Sequence, residues 1–254
     1  MGLTAPIAAR AVRRTTAPAL TSTARFAWLA RLASLDALTG QTGTFTRAAT
    51  GTAVDSTGTT YTAVHSMPRW ESRDWNGTGT RDTLGLRMGS DDLAWTYNGL
   101  PETGSLLVDF SEAGTIGTAG AGLVYLGNDA VSGARLTLAS NGTNYAATIH
   151  NGTTSATATA SVVTPTSGQS VRAVVQLEDD ATNWRVRLWL DVLGTAGEET
   201  TAWTSTITRA ATWGATTKIR ANRVGSAGTQ GSTWVRRIGW HAGLFTPDEL
   251  AARL

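Results

Sequence analysis

The sequence predicts an all-β protein, an antiparallel jelly-roll sandwich with an N-terminal arm and a short C-terminal helix. Three observations carry that expectation. Thr, Ala, Gly and Ser dominate, with 28 glycines, whereas Glu and Lys are scarce and Lys218 is the only lysine. Thr is β-branched and stiff at χ1, so it suits a pleated strand better than a helix. From about Leu106 onward, apolar and polar residues alternate with period two, the pattern of strands that turn one face to a core. Asn141-Gly142 and Asn151-Gly152 fall between such segments, which predicts type I′ hairpin turns with two residues at φ > 0. With 254 residues, 41% of them hydrophobic, the chain suits one large β domain with an appended segment.

Taken in order, residues 1–22 carry Pro6, Pro18, Arg10, Arg13 and Arg14 and no clean period. They read as an extended arm, either flexible or ordered against a neighbouring subunit. No apolar run follows those arginines as a signal peptide requires, and no stretch approaches the length of a membrane span. Residues 23–99 form a turn-rich β segment. Its start, residues 23–38, fits a helix or a strand burying Phe26 and Trp28. Short β-like pieces follow at Thr44-Phe45-Thr46 and Thr59-Thr60-Tyr61, and Trp70, Trp75 and Trp95 need apolar partners, so this segment is expected to pack on the main domain.

The main domain spans 100–254. Leu106–Phe110 reads as a strand, and Leu123–Leu126, Arg135–Ala139 and Tyr145–Ile149 as a three-stranded meander. Val171–Glu178 and Trp184–Asp191 alternate on either side of a turn at Asp179–Thr182, which makes an antiparallel hairpin. Further strands fall at Thr217–Val224 and Thr233–Phe245. The chain then caps a helix with Thr246, Pro247 and Glu249, with Phe245 and Leu250 as a hydrophobic staple.

Two resemblances rest on these stretches. SGQSVRAVVQLEDDATNWRVRLWLDV resembles the paired strands of laminin-G-like jelly rolls. KIRANRVGSAGTQGSTWVRRIGWHAGLFTPDELAARL looks like that family's closing strands and helix. Together they imply a concanavalin A/laminin-G-like sandwich over residues 100–254. Residues 43–70, GTFTRAATGTAVDSTGTTYTAVHSMPRW, are similar to a segment of tailed-phage structural proteins through Phe45, Thr46, Arg47, Ala48, Thr50, Asp55, Gly58, Pro68 and Arg69. That likeness implies a non-enzymatic virion protein, a capsid decoration or tail component. It would be assembled in the host cytoplasm and displayed on the virion surface. Its partners would be major capsid or tail proteins and copies of itself, with the Arg13-Arg14 arm reaching neighbouring copies. The sandwich family also implies a glycan-binding module for host attachment as an alternative. It allows a structural calcium held by loop oxygens, for which Asn128-Asp129 or Asp91-Asp92 are the candidates.

Other chemistry finds little support. Without cysteine there is no disulfide, Cys–zinc site or thiol nucleophile. The net charge is only +2 and the 20 arginines are scattered, unlike a nucleic-acid footprint. Glucanases of this fold use an E-x-D-x-x-E strand motif. The nearest match, Glu178 to Asn183, lacks the last acid and falls on a hairpin turn. His65, His150 and His241 are isolated, there is no G-x-S-x-G elbow, and GTIGTAGAG (114–122) lacks the Lys-Ser/Thr of a phosphate loop. No cofactor is expected. Among the ten tryptophans, Trp184, Trp234 and Trp240 alternate with aliphatic residues and read as core. Trp189, on the opposite face, and Trp203 and Trp213, in the turn-rich segment 194–216, are the candidate ligand or subunit contacts.

Overall fold

The computed structural model describes residues 24–29, 52–54, 60–62, 64–65, 69–73, 83–87, 93–97, 102–112, 122–128, 133–161, 169–192, 198–211, 213, 217–221 and 233–251. Arg13, Arg14, Thr44–Thr46, Asp91, Asp92 and Asp129, and the side chains of Phe26, Trp28, Trp70 and Trp234, lie outside them.

The N-terminal strands are β1 (Ala24–Leu29), β2 (Thr52–Val54), β3 (Thr60–Thr62), β4 (Val64–His65), β5 (Arg69–Arg73), β6 (Thr83–Arg87) and β7 (Leu93–Thr96). There follow β8 (Gly104–Glu112), β9 (Gly122–Asn128), β10 (Ala134–Ser140), β11 (Tyr145–Asn151), β12 (Ser155–Thr159), β13 (Ser170–Asp179) and β14 (Asn183–Val192). The chain ends with β15 (Glu198–Thr200), β16 (Ile207–Thr208), β17 (Thr217–Ala221), β18 (Thr233–Ala242) and the helix α1 (Pro247–Ala251). One antiparallel sheet runs β15-β14-β13-β8-β18-β1-β2-β3, with β16 also on β14 and the β5–β6 pair on β18. The second runs β12-β11-β10-β9-β17-β7-β4. The ambiguous start of the 23–99 segment is therefore a strand, β1, paired along β18 from Ala24↔His241 to Leu29↔Arg237.

Alternation decides what each strand buries. On β14, Trp184, Val186, Leu188, Leu190 and Val192 face the core, while Asn183, Arg185, Arg187, Trp189 and Asp191 are only partly covered. On β13, Val171, Ala173, Val175 and Leu177 enter the same core, and from the other sheet so do Leu136, Leu138, Tyr145, Ala147 and Ile149. Phe110 meets Tyr145 edge-on across the sandwich with ring centroids 5.0 Å apart. At about 25 cal/mol per Å² of apolar surface, this two-sheet interior is the main source of stability.

Three hairpin turns share one construction, and it differs from the type I′ turns expected. In Ser140–Asn144, His150–Thr154 and Asp179–Asn183, the first side chain accepts the third residue's N–H. The bonds are Gly142 N to Ser140 Oγ at 3.0 Å, Gly152 N to His150 Nδ1 at 2.9 Å and Ala181 N to Asp179 Oδ1 at 2.9 Å. The second side chain, Asn141, Asn151 or Asp180, accepts the next two N–H groups through Oδ1. Only the third residue has positive φ: 94° at Gly142, 100° at Gly152 and 71° at Ala181. A single positive φ at the first central residue is the requirement of type II′. The Asx side chain shifts the turn centre one residue beyond the Asn-Gly pair because it takes amides that a type I′ turn would give to the backbone.

The C-terminal helix lies on the outer face of the first sheet. Thr246 N donates to Glu249 Oε2 at 2.8 Å and Glu249 N reaches Thr246 Oγ1 at 3.4 Å, the reciprocal bonds of a capping box. Leu250 packs with Leu107 and Val174, with Phe245 and Trp189 against them. Ser105, fully buried, fastens the approach to the helix by donating to Gly243 O and accepting from Phe245 N, both at 2.9 Å.

Candidate functional site

The outer face of the first sheet arranges its polar residues in rows across the strands. One row reads Asp191, Arg172, Asp109, Arg237 over β14, β13, β8 and β18. Asp109, 2% exposed, receives Arg172 Nε at 3.1 Å on one oxygen and Arg237 Nη2 at 2.6 Å on the other. Burial pushes the Asp191 carboxyl above its ordinary range; Arg172 opposes this, while Asp248 and Asp109 add to it. A second row reads Arg187, Gln176, Ser105, His241. The row between them, Trp189, Val174 and Leu107, is the apolar strip under α1.

At the β14 edge the sheet is interrupted. Thr200 pairs with Trp189 and Thr208 with Asn183, so eight steps along the edge chain accompany six along β14. The two surplus residues form a bulge that stays bonded to β14. Thr201 N and Thr204 N donate to Leu188 O and Val186 O, both at 2.9 Å. In return, Leu188 N and Val186 N donate to Thr201 Oγ1 and Thr204 Oγ1. A bulge re-aims side chains. Here it lays Trp203 over the outward residues of β14, with Arg185 Cζ 4.9 Å and Arg187 Cζ 4.7 Å from the indole centroid. Arg187 also lies 5.8 Å from the Trp189 ring.

The two arginines differ electrostatically. Arg185 pairs with Glu178, Nη2 to Oε2 at 2.6 Å. Arg187 donates Nε to the neutral Gln176 Oε1, and Gln176 Nε2 donates to Phe245 O at 2.7 Å. Trp203 is half-buried with two guanidinium groups over its indole, so the patch joins an aromatic surface to positive charge.

The other sequence candidates lie elsewhere. Trp213 is no loop-tip residue: it is 1% exposed and packs on Trp184 at 4.7 Å between centroids, closing one end of the core. Trp189 does leave the core face, as alternation requires, but α1 covers it, so it supports the helix and is not an open contact. Trp184 and Trp240 are core residues as expected. Asn128 ends β9, half-buried opposite Thr217. Among the described residues no group of three or more His, Cys, Asp or Glu side chains is placed to hold a metal ion, and Asp91, Asp92 and Asp129 lie outside those residues. In the run from Glu178 to Asn183, Glu178 holds Arg185, Asp179 holds Arg209 at 2.8 Å and Asp180 takes turn amides. Those amides draw the Asp180 carboxyl below its usual range. Sequence reasoning missed Arg185 and Arg187 as partners of Trp203, and Gln176 as the partner of Arg187. Their even spacing on the outward face of β14 and β13 was the available signal.

No protein-family model matches the chain, and no curated protein does. Solved structures do. Domain 4 of AbnA, an extracellular GH43 arabinanase from Geobacillus stearothermophilus, in complex with arabinotriose, matches with a TM-score of 0.54 at 8% identity, over 79% of this chain and 92% of that one. The binding domain of botulinum neurotoxin serotype D gives 0.52 at 8% identity, over 91% of this chain and 51% of that one. The enzymatically active domain of bacteriophage CBA120 tailspike protein 2 gives 0.50 at 14% identity, over 76% of this chain and 30% of that one. This chain thus spans about half of the neurotoxin domain and less than a third of the tailspike domain. The likenesses establish the β-sandwich fold.

Proposed function

We propose that this chain is a non-catalytic, lectin-like sandwich of a tailed-phage virion, and that the Trp203 bulge is where it meets a glycan. The observation that carries the reading is the half-buried indole held on an outer sheet face by an edge bulge and two guanidinium groups. A flat aromatic face takes up the apolar side of a sugar ring, while neighbouring N–H donors meet its hydroxyls. A sandwich of the same architecture is known with arabinotriose bound. The phage setting rests on residues 43–70 and their likeness to tailed-phage structural proteins. Capsid or tail proteins and copies of the chain itself are the proposed partners, and the virion surface its place. The non-catalytic part is supported by three carboxylates of the first sheet, Asp109, Glu178 and Asp179, each of which is bound to arginine.

A glycan array probed with the whole chain, with and without EDTA, tests this reading. At least one defined glycan is expected to bind, and Trp203→Ala is expected to weaken it about tenfold, the scale of one aromatic contact. Binding untouched by Trp203→Ala would move the site elsewhere, and an array without signal would end the glycan reading.

A further inference from the structure

We propose that Arg187 is an anion-recognition point, so that the glycan taken at the Trp203 bulge is an acidic one. The inference rests on the glycan-binding reading and adds the ligand's charge to it. Arg172 and Arg237 share Asp109, Arg185 holds Glu178 and Arg209 holds Asp179. Arg187 breaks this pattern. Its only hydrogen bond among the described residues goes from Nε to the neutral oxygen of Gln176. Its two terminal nitrogens meet no acceptor among those residues, and no carboxylate there lies within ion-pair distance.

A half-buried guanidinium has lost part of its hydration and regains stability when an oxyanion replaces that water. The group is already oriented. Gln176 fixes its Nε, Gln176 is itself fixed by Phe245 O, and the Trp203 and Trp189 rings lie 4.7 and 5.8 Å from Cζ. A planar fork held in this way binds a carboxylate, sulfate or phosphate through two parallel N–H···O bonds without first losing rotamer freedom. Arg187 Cζ lies 4.7 Å from the Trp203 ring centroid, close enough for an acidic group on a sugar held at the indole to reach the guanidinium. Arg185 adds donors on the same strand face, but Glu178 offsets its charge, so selectivity falls to Arg187.

Calorimetric titration of the whole chain tests the inference. The probes are oligogalacturonate and a sialylated oligosaccharide, each beside its carboxyl-reduced form, with a sulfated oligosaccharide as a second oxyanion source. The acidic forms are expected to bind at least about tenfold more tightly than the reduced ones, with the preference shrinking as salt rises. Carboxylate and sulfate arms identify which acid is favoured. Arg187→Gln should bring acidic and reduced forms to equal affinity, and Arg187→Lys should keep part of the preference. Equal binding of acidic and reduced sugars by the unaltered protein, a comparison that needs no variant to fold, would overturn the inference and leave the glycan reading standing. A preference that survives Arg187→Gln would overturn it as well. If no sugar of either kind binds, both ideas fall.

Discussion

Ala181 occupies a backbone conformation that its two counterparts assign to glycine. The three turns are built alike, yet the residue at positive φ is Gly142, Gly152 and, in the third, Ala181 at 71°. A left-handed conformation costs a residue with a Cβ about 1–2 kcal/mol, and glycine's greater unfolded-state entropy returns about 0.5–1 kcal/mol of that difference. Ala181→Gly is therefore expected to stabilise the protein by about 0.5–1 kcal/mol, and Gly152→Ala to destabilise it by a similar amount or more. Urea midpoints measure both. The same turns single out His150. Its Nδ1 accepts the Gly152 N–H and lies 3.4 Å from Arg135 Nη1, so the neutral ring must carry its proton on Nε2. Burial first and Arg135 second hold its pKa below the ordinary 6.5. Between the lowered folded value and 6.5 the unfolded chain binds the proton more readily. The stabilisation from His150 is thus complete above about pH 6.5 and declines as pH falls below it. His150→Ser, which installs the residue found at Ser140, should keep the turn bond and flatten that slope in urea midpoints measured from pH 5 to 7.5. An unchanged slope would count against this account.

At the scale of single elements, α1 is too short to persist alone and depends on its fastenings. Ser105→Ala removes a donor to Gly243 O and leaves the Phe245 N–H without its acceptor, at a cost of about 1–3 kcal/mol. The loss should be local. Hydrogen exchange should accelerate across 245–250, and Trp189 should become open to fluorescence quenching, while β10 and β11 keep their protection. Uniform loosening of the whole sandwich would contradict the latch. Elements also explain what the sequence allowed one to read. Unbroken period-two runs marked β13, β14 and the meander, and Thr246, Pro247 and Glu249 marked the helix, because in each the signal is local. Trp203 was visible as a candidate contact, but its position was not, since two surplus residues in the edge strand break the alternation that would have given its face. Trp213 looked like a loop residue because its neighbours are turn formers, yet its burial against Trp184 depends on contacts remote in sequence. Trp189 was placed on the correct face of its strand; that α1 would cover that face is a tertiary fact absent from the local pattern.

For the whole molecule, the row through Asp109 matters more than any single turn. Its carboxylate joins β8 to β13 and β18 through Arg172 and Arg237, whose side chains are 18% and 12% exposed. Asp109→Ala would leave two poorly hydrated guanidinium groups without their shared anion, and a loss of about 3–5 kcal/mol is expected in equilibrium unfolding. Glu178→Ala, which breaks the more exposed pair with Arg185, should cost under about 1 kcal/mol. Similar losses in the two variants would refute the distinction. Against this fixed scaffold the edge bulge behaves differently. Its ladder bonds come from Thr201 and Thr204, and Ala202, Ser205 and Thr206 point to solvent. Side chains at those open positions can be exchanged while the backbone bonds to β14 remain. A lineage could in this way change what the rim presents by editing a few codons there, with its architecture inherited intact.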